Sequence, residues 1–159
     1  MIMKGLGTAL ITPFTEDGKV DFQSLSNLIE HQVAGGTDYL VILGTTSEVP
    51  TLTHQEQNAI IDYVVKQVAG RMPLVLGIGG NNTAAVVERI EELKEQLVAH
   101  FAAILSVTPY YNRPQQEGLY LHFCEVAKAS PVPVILYNVP KRTGVNLLPE
   151  TTRRIYDAH

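Results

Sequence analysis

Residues 132–144 read VPVILYNVPKRTG, in which a short apolar run ends at Tyr137 and is followed by Asn138 and, after Val139 and Pro140, by three more polar residues. A near-continuous apolar run of this length is typical of a parallel β-strand that is covered on both faces. Four earlier runs of the same kind predict strands at 6–11, 39–43, 74–78 and 102–107. Successive runs begin roughly 30 residues apart, the length of one βα unit. The chain is therefore predicted to hold five βα units.

Helical patterns fill the segments between these strands. Apolar residues recur at helical spacing over 60–68, and Thr53 and Glu56 before them match a capping box. A second stripe over 86–97 predicts another helix. Pro149 suits the first turn of a final helix, where its missing N–H costs nothing.

Consecutive βα units form either a doubly wound sheet or a (β/α)8 barrel. No GxGxxG fingerprint follows the first strand, which removes support for the dinucleotide-binding version of the doubly wound sheet. Polar residues follow the carboxyl ends of the strands, where barrel enzymes carry their chemistry: Thr12, Thr45-Thr46, Asn81-Asn82, Tyr110-Tyr111 and Tyr137-Asn138. A complete barrel has about 250 residues. Residues 1–159 are therefore predicted to be the N-terminal portion of a single barrel domain.

The charge, the apolar runs and the cysteine count exclude several classes of partner and site. The formal net charge is -4, which argues against nucleic acid or an anionic membrane surface as the main partner. No apolar run approaches the roughly 20 residues that span a bilayer. The single Cys124 excludes an internal disulfide and a zinc site built on several thiolates. We expect a cytoplasmic protein without a metal site.

Three segments carry candidate chemistry. Gly44 and the hydroxyls of Thr45 and Thr46 could hold a carboxylate or phosphate, although such a segment is also typical of a βα turn in which a threonine caps the next helix. Tyr111, held between prolines, could pass protons or could pack at an oligomer interface. Arg142 offers a planar fork for a carboxylate or is a solvated loop arginine.

Four motifs occur together, in order: GTTSE at 44–48, PYYN at 109–112, QEGLY at 116–120 and YNVPKRTG at 137–144. This set resembles the dihydrodipicolinate synthase family, in the lysine-Schiff-base aldolase superfamily that includes N-acetylneuraminate lyase. The resemblance implies a (β/α)8 barrel that condenses pyruvate with aspartate semialdehyde in lysine and diaminopimelate biosynthesis. It also implies a homodimer or homotetramer. No cofactor is implied, because the imine itself serves as the electron sink.

The resemblance also assigns residue roles. Thr45, Tyr111 and Tyr137 match the proton-relay triad, and Tyr111 would reach across a dimer interface into the partner's site. Thr46 matches the hydroxyl that holds the pyruvate carboxylate. Arg142 matches the clamp for the carboxylate of the semialdehyde.

The match is incomplete at the nucleophile. The Schiff-base lysine of this family follows the sixth strand, which would fall beyond His159. The chain has six lysines, at positions 4, 19, 66, 94, 128 and 141. Lys66, Lys94 and Lys128 lie on helical patterns with solvated faces, and only Lys141 is near the correct end of a strand. The 159-residue chain alone is therefore expected to be inactive. Ser47 also stands where the family usually has glycine.

The family's lysine-feedback site is matched in part. His54, Asn81 and Tyr110 match its positions, but Ala85 replaces a glutamate. We therefore predict weak or absent inhibition by lysine. Two alternative functions stay open: another pyruvate-dependent aldolase, such as N-acetylneuraminate lyase or a keto-deoxy sugar-acid aldolase, and a non-catalytic half-barrel that serves as an assembly module.

Overall fold

The computed structural model describes residues 3–159, which divide into two compact units at Gly77 and Ile78. The first unit contains β1 (Gly7–Ala9), α1 (Phe22–Ala34), β2 (Tyr39–Ile42), α2 (His54–Val68) and β3 (Leu74–Gly77), with 3₁₀ turns at Thr45–Ser47 and Val49–Thr51. The second unit contains α3 (Thr83–Glu92), α4 (Lys94–His100), β4 (Ala103–Val107), α5 (Gln116–Ala129), β5 (Val134–Tyr137), α6 (Pro140–Thr143) and α7 (Pro149–Ala158).

The first unit is a parallel three-stranded arrangement with α1 packed against α2. Gly7 pairs with Tyr39, and Leu40 pairs with Leu74. The buried side chains come from both layers: Leu25, Ile29, Leu40, Ile42, Ile61, Val64, Val75 and Leu76. In β3 the consecutive residues Leu74, Val75 and Leu76 are buried, so both faces of this strand are covered, in agreement with its near-continuous apolar sequence.

The second unit pairs β4 with β5 in parallel, with Val107 opposite Tyr137. Helix α5 packs against both α3 and α7. A cluster of buried side chains joins α5, α7 and the segment between α6 and α7: Leu119, Phe123, Val145, Leu147 and Ile155. Leu136 of β5 packs against this cluster.

The structure confirms the five predicted strands. Four of them are shorter than predicted at one end, and β1 is shorter than predicted at both ends. The capping box is present, since the Thr53 hydroxyl accepts from the Glu56 N–H and the Glu56 carboxylate accepts from the Thr53 N–H. The predicted start of a helix at Pro149 is also confirmed.

One helix prediction is wrong. The stripe over 86–97 is divided between α3 and α4 at Leu93, whose φ of -97° and ψ of 7° leave the helical region. Ile90, Leu93 and Leu97 are all buried. The helical spacing of apolar residues therefore continues across the break between α3 and α4, so the sequence pattern alone does not reveal this break.

Candidate functional site

In the first unit, the segment after β2 is bracketed by two left-handed residues. Leu43 has a φ of 51° and Glu48 a φ of 55°. Between them Thr45–Ser47 form a single 3₁₀ turn, closed by the Ser47 N–H on the Gly44 carbonyl at 3.0 Å. Left-handed backbone at large residues is uncommon and is concentrated at functional sites. This geometry favours a binding segment.

Hydroxyl groups hold this segment to the end of β1. Ser47 Oγ donates to the Leu10 carbonyl at 2.7 Å, and Thr46 Oγ1 donates to the same oxygen at 3.2 Å. Thr12 Oγ1 donates to the Ser47 carbonyl at 2.9 Å. Ser47 is 2% exposed, whereas Thr45 and Thr46 are both exposed. Both threonines are therefore accessible to solvent, while the hydroxyls of Thr46 and Ser47 anchor the turn to Leu10.

The alternative in which one of these threonines caps the next helix is wrong. Neither Thr45 nor Thr46 makes a side-chain cap, because Thr53 caps α2. His54 is the first residue of α2 and its side chain is exposed.

In the second unit, the segment after β4 also contains left-handed residues. Tyr111 has a φ of 72° and Arg113 a φ of 48°. Tyr111 is 89% exposed and Tyr110 is 39% exposed. The Asn112 N–H donates to the Tyr110 carbonyl at 2.9 Å, and Asn112 Nδ2 donates to the Asn81 carbonyl at 3.0 Å. The turn is thus fixed by Asn112, while the phenol of Tyr111 projects into solvent.

Tyr137 ends β5 with its side chain half-buried. Side chains alternate between the two faces of a strand, and the preceding Leu136 packs against the helical cluster. Tyr137 therefore points to the face away from α5 and α7. The Thr108 N–H donates to the Tyr137 carbonyl at 3.1 Å, which holds the two strand ends together. Within residues 3–159, no hydrogen bond joins Tyr137 to Tyr111.

Arg142 lies in the one-turn helix α6 and not in an irregular loop, which was one of its two predicted settings. Its N–H donates to the Val139 carbonyl at 2.9 Å. Thr143 Oγ1 lies 3.0 Å from the Val145 carbonyl and 3.2 Å from the Val139 carbonyl. Gly144 then reverses the chain with a φ of 75°. Pro140 at the start and glycine at the end are typical of such a short helix. The Arg142 side chain is exposed.

Two amide side chains fix the segment that follows Arg142. Asn138 Nδ2 donates to Asn146 Oδ1 at 2.8 Å. Gln116 Nε2 donates to the Asn146 carbonyl at 2.8 Å, and Gln116 Oε1 accepts from the Leu148 N–H and from Thr151 Oγ1. Gln116 was predicted only as part of a motif, and Asn138 as part of a motif and as a polar residue after the fifth strand. Their shared contacts with Asn146 were not predicted, although both residues belong to motifs of the same family.

The lysine side chains are all exposed. Lys66, Lys94 and Lys128 lie on solvated helix faces, as predicted. Glu125, 2.7 Å from Lys128, raises the pKa of that amine. An imine-forming lysine needs the opposite, a pKa lowered by a desolvated pocket or by a nearby cation. Lys141 beside Arg142 is also exposed, so none of the six lies in such a pocket.

The other described side chains form no metal centre. Within residues 3–159, no group of three or more His, Cys, Asp or Glu side chains could hold a metal ion. No helix in this part of the chain has the length and hydropathy needed to cross a membrane.

Two titratable side chains of helix α5 have shifted pKa values. Burial lowers the pKa of His122, and a hydrogen bond with Cys124 raises the pKa of Tyr120.

The model of the dihydrodipicolinate synthetase family matches residues 2–159. The chain belongs to this family. The 4-hydroxy-tetrahydrodipicolinate synthase of Parabacteroides distasonis is 56% identical over 153 residues, which cover 96% of this chain and 50% of that protein. The Bacillus subtilis enzyme of the same name is 49% identical over 150 residues, covering 94% and 51% respectively.

Solved structures of family members match as well. The dihydrodipicolinate synthase of Aquifex aeolicus has a TM-score of 0.89 at 43% identity, over 98% of this chain and 52% of that one. The Acinetobacter baumannii synthase, solved with pyruvate, has a TM-score of 0.91 at 40% identity, over 97% and 52%. The predicted fold class, α/β with about five units of a (β/α)8 barrel, is confirmed. The chain spans about half the length of the relatives it matches.

Proposed function

We propose that residues 1–159 are the N-terminal portion of a single-domain (β/α)8 4-hydroxy-tetrahydrodipicolinate synthase. This enzyme would condense pyruvate with aspartate semialdehyde in lysine and diaminopimelate biosynthesis in the cytoplasm. The single observation that carries the proposal is family membership across residues 2–159, with relatives of that name at up to 56% identity. The exposed, left-handed segments at the strand ends support it, because they carry the motif residues.

The nucleophile in this proposal is a lysine that follows His159. Its amine attacks the ketone carbon of pyruvate, and water leaves as the imine forms. Loss of a methyl proton gives an enamine, whose carbon then bonds to the aldehyde carbon of the semialdehyde. The aldehyde oxygen takes up a proton to become a hydroxyl, and the bond formation regenerates the lysine imine. The amino group of the semialdehyde part then adds to the imine carbon, and the bond from that carbon to the lysine nitrogen breaks, which releases the cyclic product and the free amine. The exposure of all six lysines supports a nucleophile outside this set.

In this proposal, protons are transferred by Thr45, Tyr111 and Tyr137. Tyr137 is half-buried at a strand end, where a phenol can be positioned for transfer. Tyr111 is 89% exposed, which favours a role in the site of a partner subunit over one in its own unit. We therefore propose a homodimer as the smallest active form, with a homotetramer as two such dimers.

In this proposal, Thr46 binds the carboxylate of pyruvate and Arg142 binds the carboxylate of the semialdehyde. The Thr46 hydroxyl already donates to the Leu10 carbonyl, so its N–H, at the start of the 3₁₀ turn, is the donor left for the pyruvate carboxylate. Arg142 is exposed at the end of β5 and has a fork that suits the carboxylate of the semialdehyde. No metal or organic cofactor is required by this chemistry.

The test uses the protein at its natural length. Tyr137→Phe removes the phenolic hydroxyl and keeps the ring, so kcat should fall by about a hundredfold or more, the size of general acid–base effects. Tyr63→Phe is the matched control, because Tyr63 packs beside Phe22 with ring centroids 4.9 Å apart. Equal activity in the two variants would overturn the role of Tyr137. Condensation of pyruvate with a sugar aldehyde but not with aspartate semialdehyde would favour the alternative aldolase. The absence of any reaction with pyruvate would favour the assembly module.

A further inference from the structure

Two of the six arginines differ from the rest in having no carboxylate partner. Four arginines form ion pairs: Arg71 with Glu30, Arg89 with Glu92, Arg153 with Asp157 and Arg154 with Glu117. Arg113 and Arg142 form none with any residue from 3 to 159, and both side chains are exposed. In a chain of net charge -4, acidic partners are plentiful. These two guanidinium groups are therefore free to bind an external anion.

These two arginines belong to the same end of the second unit. The Arg113 guanidinium lies against Gly144, where an added Cβ atom would be 2.9 Å from Nε and 3.5 Å from one terminal nitrogen. Gly144 is two residues after Arg142 and closes the α6 turn. The missing side chain at Gly144 thus leaves room for Arg113 beside the turn that carries Arg142.

The backbone at Arg113 is itself unusual. Its φ of 48° lies in the left-handed region, which is unfavourable for a residue with a long side chain. Such a conformation is retained when the surrounding structure over-determines it, as at ligand-binding segments. Asn112 supplies that restraint through its bonds to Tyr110 and to Asn81. The strain is therefore located where the Arg113 side chain turns towards Gly144.

We propose that Arg113 is a second carboxylate-binding residue and, with Arg142, determines specificity for an aldehyde substrate that carries a carboxylate. The Arg113 guanidinium lies against Gly144, which closes the turn that carries Arg142, so an anion bound at this turn is within reach of both elements. Each planar fork can donate charge-assisted hydrogen bonds to a carboxylate oxygen. The identity of the substrate rests on the proposed function, whereas the anion site rests on the geometry around Gly144.

The first experiment measures protection of arginines from phenylglyoxal, with peptide mapping by mass spectrometry on the protein at its natural length. Succinic semialdehyde, which has the carboxylate and the aldehyde, should protect both Arg113 and Arg142. Butanal, which lacks the carboxylate, should protect neither. Arg153 is the internal control, because it is exposed and pairs with Asp157. Protection of Arg142 without protection of Arg113 would overturn the proposal.

The second experiment measures kinetics with Arg113→Gln. The KM for aspartate semialdehyde should rise about tenfold, the effect of losing one hydrogen bond to a charged group. The KM for pyruvate and the thermal midpoint should stay unchanged. Arg153→Gln should alter neither KM. A rise in both KM values with a lower thermal midpoint would indicate a structural role and would contradict the proposal.

A glycine pair supplies an independent test. Gly144→Ala should reproduce the KM effect of Arg113→Gln, because its Cβ atom displaces the guanidinium. Gly70→Ala has the same backbone strain, with φ values of 74° and 75° at the two glycines, but nothing lies within 4 Å of its Cβ position. Gly70→Ala should therefore lower the thermal midpoint and leave the KM for aspartate semialdehyde unchanged. Equal KM values in the two alanine variants would overturn the proposal.

The two proposals fail in different ways. If no condensation is detected but the carboxylate still protects Arg113, the proposed function falls and the anion site stands. If condensation is detected but Arg113→Gln leaves the KM for the semialdehyde unchanged, the inference on Arg113 falls and the proposed function stands.

Discussion

The side-chain amide of Asn138 is hydrogen-bonded to the main chain of Leu147 in both directions. Nδ2 donates to the Leu147 carbonyl at 3.3 Å, and Oδ1 accepts from the Leu147 N–H at 3.0 Å. Asn138 directly follows Tyr137, and Leu147 lies in the buried cluster beneath α7. A single amide therefore connects the end of β5 to the core of the second unit.

Replacement of Asn138 should destabilise this unit. Asn138→Ala removes every bond of the amide and should lower the free energy of unfolding by about 1–3 kcal/mol, because polar main-chain groups lose their partners. Urea unfolding of the chain measures the change. Asn27→Ala is the control, since Asn27 only accepts an exposed 3.3 Å bond from Gln23. A change at Asn138 no larger than the control would contradict this account.

Ser47 should contribute to stability although the family usually has glycine at this position. Its hydroxyl is buried and donates to the Leu10 carbonyl at 2.7 Å. Ser47→Ala should cost about 1 kcal/mol in the free energy of unfolding, the usual net value of one hydrogen bond. Ser26→Ala, which loses only a 3.4 Å bond to Gln67, is the comparison. If the two variants unfold at the same urea concentration, the anchoring role of Ser47 is wrong.

His122 should make stability fall in mild acid. Its ring is 3% exposed, and its Nδ1 lies 2.8 Å from Thr83 Oγ1. Burial lowers the pKa of His122 below its ordinary value of 6.5. The unfolded chain therefore takes up a proton at a higher pH than the folded chain does, so stability is full above about pH 6.5 and is lost as the pH falls towards the folded pKa.

The measurement is urea unfolding of the wild type and His122→Gln at about pH 7.5 and about pH 5.5. The wild type should lose more free energy of unfolding between these conditions than the variant does. His100→Gln replaces an exposed histidine and should behave as the wild type. A wild type and His122→Gln with the same pH dependence would show that His122 does not carry the effect.

Lysine should inhibit the protein of natural length weakly or not at all. In the feedback site that the resemblance implies, Ala85 would leave the ammonium group of lysine with one anion fewer than a glutamate would provide. Ala85→Glu should strengthen inhibition in a lysine titration of the initial rate. Ala84→Glu, at an adjacent exposed position of α3, controls for added charge. Strong inhibition of the wild type would contradict this prediction.

Much of the fold follows from periodicity in the sequence. The five strands and the Thr53 capping box were predictable because buried strands and helix starts are local patterns. The left-handed backbone at Leu43, Tyr111 and Arg113 was not predictable. Large residues rarely adopt a positive φ, so it arises from tertiary contacts that no local pattern records.

The candidate site also has a part that was predicted from the sequence and a part that was not. The motifs indicated Thr45, Tyr111, Tyr137 and Arg142, but they did not show that Ser47 holds the first segment by a buried bond. The contact between Arg113 and Gly144 was also missed, because it joins residues that are distant in the chain. Side-chain contacts of this kind require the folded structure.

The central claim is that this chain carries the recognition segments of a synthase whose imine-forming lysine lies after His159. The direct measurement is intact mass before and after treatment with pyruvate and borohydride, which converts an imine into a stable adduct. The protein of natural length should gain one reduced pyruvate unit, at a lysine after His159, and the 159-residue chain should gain none. An adduct on the short chain, or none on the protein of natural length, would contradict the account.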